Sequence, residues 1–144
     1  MEVIEKATPG DLPAIRELLS RLELPVQDLG AENQTFLVAR DGGVLAGCVA
    51  LETYGEVALL RSLAVQPGRQ KVGLGHALHD QALSLARELG IRDLYLLTTT
   101  AERFFARAGY ARVDRGAAPA DLRGSHEFRT LCPTDAVCMA RKLT

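Results

Sequence analysis

The sequence predicts one α/β domain, of the α+β kind, spanning residues 1–144. Three features carry that reading. Apolar residues recur at strand spacing and at helix spacing in alternating segments. The stretch LLRSLAVQPGRQKVGLGHAL, Leu59 to Leu78, runs from an apolar strand through a glycine-containing turn straight into an amphipathic helix. A chain of 144 residues with 47% hydrophobic side chains supports one proper core and needs no second domain.

The elements follow in order. Residues 3–7 open as a strand, and a helix from about Asp11 carries Leu12, Ile15, Leu18, Leu19 and Leu22 on one face. Residues 24–30 form a short irregular or helical link. Strands at 35–40 and 44–53 flank Asp41, Gly42 and Gly43, residues suited to a hairpin turn. Tyr54 and Gly55 then turn the chain into a third strand at 57–65. The helix after it places Leu74, Leu78, Ala82, Leu85 and Leu89 toward the core and stops at Gly90. A strand at 91–97, a polar entry at 98–100 and a helix at 101–108 closed by Gly109 come next. A strand at 110–113, a short helix at 120–124 and a last strand at 136–143 complete the chain.

Composition narrows the function classes. A formal net charge of −1 with scattered Arg residues argues against bulk nucleic-acid binding. No apolar run approaches membrane-spanning length, and residues 1–11 lack both the charged start and the apolar centre of a signal peptide, so a cytoplasmic location is expected. Cys48, Cys132 and Cys138 are odd in number and lack CxxC spacing, which suits reduced thiols rather than a disulfide framework or a zinc site. His76 and His79 have helical spacing but no third ligand; they read as a phosphate neighbour and a surface residue.

A strand that ends in a tight turn at a helix N-terminus presents backbone N–H groups beside the positive end of a dipole, which is a phosphate site. Several motifs compete for it. Gly68 and Gly73 have the gap of a phosphate-binding lysine loop, but Leu74 and Gly75 follow where Lys and Ser or Thr are required. A dinucleotide fingerprint needs a third small residue where Leu78 stands, and Asp93 falls at the start of its strand rather than the end. The pattern that fits is QxxGxG, written Gln70, Lys71, Val72, Gly73, Leu74 and Gly75, preceded by LAVQP.

This turn resembles the acyl-CoA site of the GNAT superfamily of N-acetyltransferases, and AERFFARAGY resembles that superfamily's Ala-x-x-Phe-Tyr-x-Lys-x-Gly-Phe block. The likeness spans nearly the whole chain. It implies a three-layer fold, a mixed and largely antiparallel sheet between helices, with the strands ending near Val65 and Leu97 splayed to admit the pantetheine arm. A narrower likeness, in TTTAERFFARAGY, EFRTLCP and DAVCM, is to the branch of the superfamily found in arsenic-resistance gene clusters. The resemblance implies that backbone groups of Leu63, Ala64 and Val65 hold the pantetheine and the oxyanion. It implies that Gln70, Lys71, Val72, Gly73, Leu74, Gly75 and His76 wrap the pyrophosphate, with Phe104 and Arg107 of the second block completing the cofactor site. Phe105 departs from the family pattern, which has a Tyr there whose hydroxyl can protonate the leaving thiolate.

Acyl transfer to an amine requires removal of a proton from the nucleophile and a donor for the tetrahedral oxyanion, and its direct form needs no metal. Glu52 and Glu56, flanking the Tyr54 and Gly55 turn, are candidate bases acting through water, and Ser62 is a third candidate catalytic group. Arg61 stands in an otherwise apolar strand, where an unpaired charge is costly, so it either anchors a substrate carboxylate or oxyanion, or forms a structural salt bridge. His126, Glu127 and Arg129 are candidate acceptor-site residues. Two function classes stand open. The first is acetyl transfer from acetyl-CoA to a small primary amine, an acidic amino acid or an amino-acid-like arsenical; the second is a non-catalytic acyl-CoA-binding or metalloid-binding module of the same fold. A homodimer is open in either case.

Overall fold

Period-two burial along the second strand sets the layering: Phe36 and Val38 join one core cluster while Leu37 and Ala39 join another on the opposite face. The computed structural model describes residues 3–69, 73–125, 127–131 and 136–143. In it β1 (Val3–Lys6) is followed by α1 (Leu12–Arg21), then by β2 (Gln34–Asp41), β3 (Val44–Tyr54) and β4 (Val57–Val65). After α2 (Leu74–Glu88) come β5 (Asp93–Thr98), α3 (Glu102–Arg107), β6 (Ala111–Arg112), α4 (Ala120–Arg123) and β7 (Val137–Lys142). The strands form one sheet in the order β1-β2-β3-β4-β5-β7-β6. All neighbours are antiparallel except β4 and β5, which run parallel.

Each face is covered by the helix whose apolar stripe fits it. Ile15, Leu18 and Leu19 of α1 pack on Phe36, Val38, Cys48, Ala50 and Ala64. Leu74, Leu78, Ala82, Leu83, Leu85 and Ala86 of α2 pack on the other face, against residues that include Leu37, Val49, Leu51, Leu60 and Leu96. Burying a single such side chain contributes about 1.5–3 kcal/mol, so these two stripes hold the layers together. On the α1 face, α4 and a π-helical turn (Glu127–Leu131) extend the cover, with Leu122 and Phe128 against Leu59 and Cys138. Among the described residues no helix is long and apolar enough to cross a membrane.

Three departures from the sequence expectations have local causes. The hairpin loop is Gly42 and Gly43 alone, because Asp41 and Val44 already pair, and both glycines take the positive φ that a two-residue loop requires. β5 starts at Asp93 rather than residue 91, since the Ile91 amide still donates to the Ala86 carbonyl of α2. β6 starts later than the predicted residue 110, because the Tyr110 amide donates to the Phe105 carbonyl of α3.

Candidate active site

Two irregularities in β4 create the site. Cys48 pairs with Ala64 and Ala50 pairs with Arg61, so Val49 alone faces both Ser62 and Leu63: a β-bulge with its extra residue in β4. Ser62 holds the strained backbone, at φ 59°, and its carbonyl accepts a hydrogen bond from the Cys48 thiol at 3.3 Å. The bulge moves every later side chain to the opposite face, so Leu63 and Val65 turn toward α2 while Ala64 joins the α1 cluster. The second irregularity is the seam with β5. Pairing runs only over residues 57–59 and 93–95, after which the strands diverge.

The divergence opens a cavity of about 450 Å³. Leu63, Ala64 and Val65 of β4 form one wall and Leu97 and Thr98 of β5 the other, with Gly75, Phe104 and Phe105 at the helical end. Gly73 is the N-cap of α2 at φ 76°, a left-handed conformation natural to glycine, and a Cβ there would meet nothing within 4 Å among the described residues. The first turn of α2 reaches the cavity through Gly75, so the positive end of its dipole lies beside the cavity. Leu74 is different: its side chain is in the core. His76 stacks on Phe104 with ring centroids 4.6 Å apart, and His76 and Arg107 line an adjoining cleft with Arg141 and Lys142. Gln70, Lys71 and Val72 lie outside the described residues, as do His126 and Cys132.

The opposite end of the cavity is ionic. Arg61, whose side chain has no exposure, gives its two terminal nitrogens to Asp28 at 2.6 and 2.7 Å and also bonds Glu52 at 3.0 Å. Glu127 stands 3.6 Å from the Arg61 Nε. Glu52 is further tied down by the Gln34 amide at 2.8 Å and by a very short hydrogen bond from the Tyr54 hydroxyl. Burial works against the Arg61 charge, but the Asp28 hydrogen bond and the charges of Glu127, Asp28 and Glu52 outweigh it and raise its pKa. Burial pushes the Glu127 carboxyl up to about 7, with Glu52 and Asp28 adding to the rise and Arg61 and Arg115 opposing it. Burial, then Glu52, lifts the Tyr54 phenol to about 12.

The predicted residues thus separate into groups. Arg61, Ser62 and Glu127 line the cavity, and Glu52 sits behind Arg61. Glu56 is not with them: it lies in the exposed turn at the far end of β4, 3.6 Å from Arg92. Arg129 is exposed on the π-helical turn. His79 is a correction, since the surface residue expected there is buried, its Nε2 2.9 Å from the Tyr110 hydroxyl, and burial lowers its pKa. Sequence reasoning missed Asp28, Gln34 and the Tyr54 hydroxyl. The one signal for them was Arg61 itself, because a buried guanidinium demands carboxylates from somewhere. Among the described residues no group of three or more His, Cys, Asp or Glu is placed to hold a metal ion.

Comparison with known proteins places this geometry. The profile of the Acetyltransferase (GNAT) family matches residues 5–112. An amino-acid acetyltransferase of Mycobacterium tuberculosis is 33% identical over 122 residues, covering 78% of this chain and 70% of that protein. The N-acetylglutamate synthase of Neisseria gonorrhoeae, solved with coenzyme A and N-acetyl-glutamate, superposes with a TM-score of 0.86 at 26% identity, over 100% of this chain and 35% of that one. A Mycobacterium tuberculosis protein solved in complex with CoA superposes at 0.82 with 26% identity, covering 99% of both chains. Against several further amino-acid acetyltransferases the chain spans about a third of their length. The chain belongs to the Acetyltransferase (GNAT) family and is by class an acetyl-CoA-dependent acetyltransferase.

Proposed function

We propose that the protein moves the acetyl group of acetyl-CoA directly to the primary amine of a small molecule, an acidic amino acid foremost. The observation that carries this is the β4–β5 cavity, which joins the first turn of α2, at Gly75, to the Arg61 and Glu127 wall. In this reading the pyrophosphate rests on the backbone at Gly73 to His76, and the thioester lies in the gap. Backbone groups at the bulge, Leu63 to Val65, hold the oxyanion as it forms, where fixed dipoles are most effective. The basic cleft of Arg107, Arg141 and Lys142 suits the remaining phosphate of the donor. Phe105 offers no proton to the thiolate; a thiol pKa of about 8.5 makes unassisted departure tolerable.

The acceptor class is supported by the relatives, named as amino-acid acetyltransferases and, in one structure, holding N-acetyl-glutamate. An amino-acid-like arsenical presents the same amine and belongs in the same assay. A cytoplasmic setting is part of the reading, and the buried free thiols of Cys48 and Cys138 fit it. The test is thiol release: acetyl-CoA with a panel of amino acids, polyamines and arsenical analogues yields free CoA with acidic amino acids. Silence across the panel, with CoA still raising the melting temperature, overturns turnover in favour of a binding module.

A further inference from the structure

Three carboxylates converge on Arg61, and they are not equivalent. Asp28 takes both terminal nitrogens, and Glu52 is held by Arg61, Gln34 and Tyr54 together. Glu127 makes the looser contact, 3.6 Å to Nε, and is the single acidic residue among the described residues lining the cavity. Its turn is firmly seated. Arg115 donates to the Phe128 carbonyl at 2.5 Å and lies 5.6 Å above the Phe128 ring, while the Ser125 hydroxyl donates to the Leu122 carbonyl at 2.6 Å.

We propose that Glu127 is the catalytic base of the acetyl transfer, receiving the acceptor as an ammonium ion and taking its proton, with Arg61 as the positioning residue that aims it. The proposal rests on the acetyl-transfer reading above. The ammonium gives one proton to the Glu127 carboxylate, and the freed nitrogen lone pair attacks the thioester carbon, forming the C–N bond. The C–S bond breaks with its electron pair on sulfur. The second proton of the nitrogen goes to the thiolate, and Glu127 returns the first to water. The products are the amide, CoA thiol and one proton.

The charge around the site suits this. Glu127 faces Arg61 from β4, Glu52 from β3 with the Tyr54 hydroxyl on it, Asp28 from the segment after α1, and Arg115 from the turn before α4. Among the described residues that act on Glu127, with Glu127 itself, carboxylates outnumber guanidiniums, which favours placing the acceptor's ammonium end, rather than its carboxylates, beside Glu127. A carboxyl titrating about 7 is also matched to proton exchange near neutral pH, where an ordinary Glu is a weaker base.

The experiment is the pH profile of kcat/KM for wild type and Glu127→Gln, with acetyl-CoA and an acceptor found in the panel. The expected wild-type activity rises with pH through about 7. Glu127→Gln loses roughly 100-fold or more and also loses that rise, while the CoA-induced shift in melting temperature is unchanged. A loss below about 3-fold, or a rise that persists in the variant, overturns the proposal. A second measurement needs only the wild type: an acceptor analogue whose amine is already neutral at acid pH flattens the rise. If the rise stays, the titrating group is not taking the acceptor's proton, and the proposal is overturned. A wild type that acetylates no amine overturns the parent reading, whereas a working wild type with an indifferent Glu127→Gln overturns this one alone.

Discussion

The two ends of the cavity are made of different material. The end proposed for the donor is backbone and apolar surface: a bulged strand, a left-handed glycine, a helix N-terminus and stacked rings. The end proposed for the acceptor is a buried set of charged side chains drawn from β3, β4, the segment after α1 and the π-helical turn. A backbone site tolerates changes of side chain but fails when the backbone is altered. A charge cluster behaves in the reverse way, since removing one member leaves the others buried and uncompensated.

The largest effect expected from that contrast is on stability. Arg61→Met strands Asp28, Glu52 and Glu127 without their cation, and the loss should be about 3–5 kcal/mol by urea denaturation. A variant as stable as the wild type would mean that the acceptor end is not an interdependent cluster. At the donor end the expected damage is to binding. Gly73→Glu puts a non-glycine residue at φ 76° and a carboxylate where phosphate would sit. Folding should suffer by about 1–2 kcal/mol, whereas CoA affinity measured by calorimetry should fall on the order of 100-fold from charge repulsion in the screened site. Unaltered affinity would remove the donor from this end.

The smallest effect is a pH slope. Because burial raises the Glu127 pKa from 4.5 to about 7, the native state holds this proton more tightly than the unfolded chain. Its contribution to stability is complete below the unfolded value and is lost as pH rises toward 7. Denaturation at several pH values should show wild-type stability declining over that window, relative to Glu127→Gln. Asp11 gives an internal contrast. The Arg40 and Thr8 hydrogen bonds lower its pKa to about 2, so its contribution is present above the ordinary carboxylate range and is lost as pH falls toward 2.

The same contrast explains what could be read from the residues alone. Strand 57–65 and the start of α2 after Gly73 were legible because local periodicity and glycine placement encode backbone geometry directly. The splay of β4 and β5 came with the family resemblance, and the parallel register over residues 57–59 agrees with it. Arg61 stood out by its cost, but Asp28 lies 33 residues away in an irregular link, where no periodicity gives a register. Glu127 was legible as a candidate and its burial was not, because that comes from the π-helical turn packing under Arg115. His79 was misplaced for a similar reason: the ring that covers it, Tyr110, arrives from beyond α3.

The seam between β4 and β5 has a mechanical consequence. Three residue pairs join a half-sheet made of β1 to β4 to one made of β5, β7 and β6. Each half is held by longer antiparallel ladders. The ladder across the seam is short, and the core under α2, where Leu51 and Leu60 of one half meet Leu94, Leu96 and Met139 of the other, carries the rest of the connection. A ligand bearing amide groups, laid between the diverging strands, would bond to both edges and act as a rivet. Filling the gap would then supply the strand-to-strand bonds that the divergence of β4 and β5 leaves unmade.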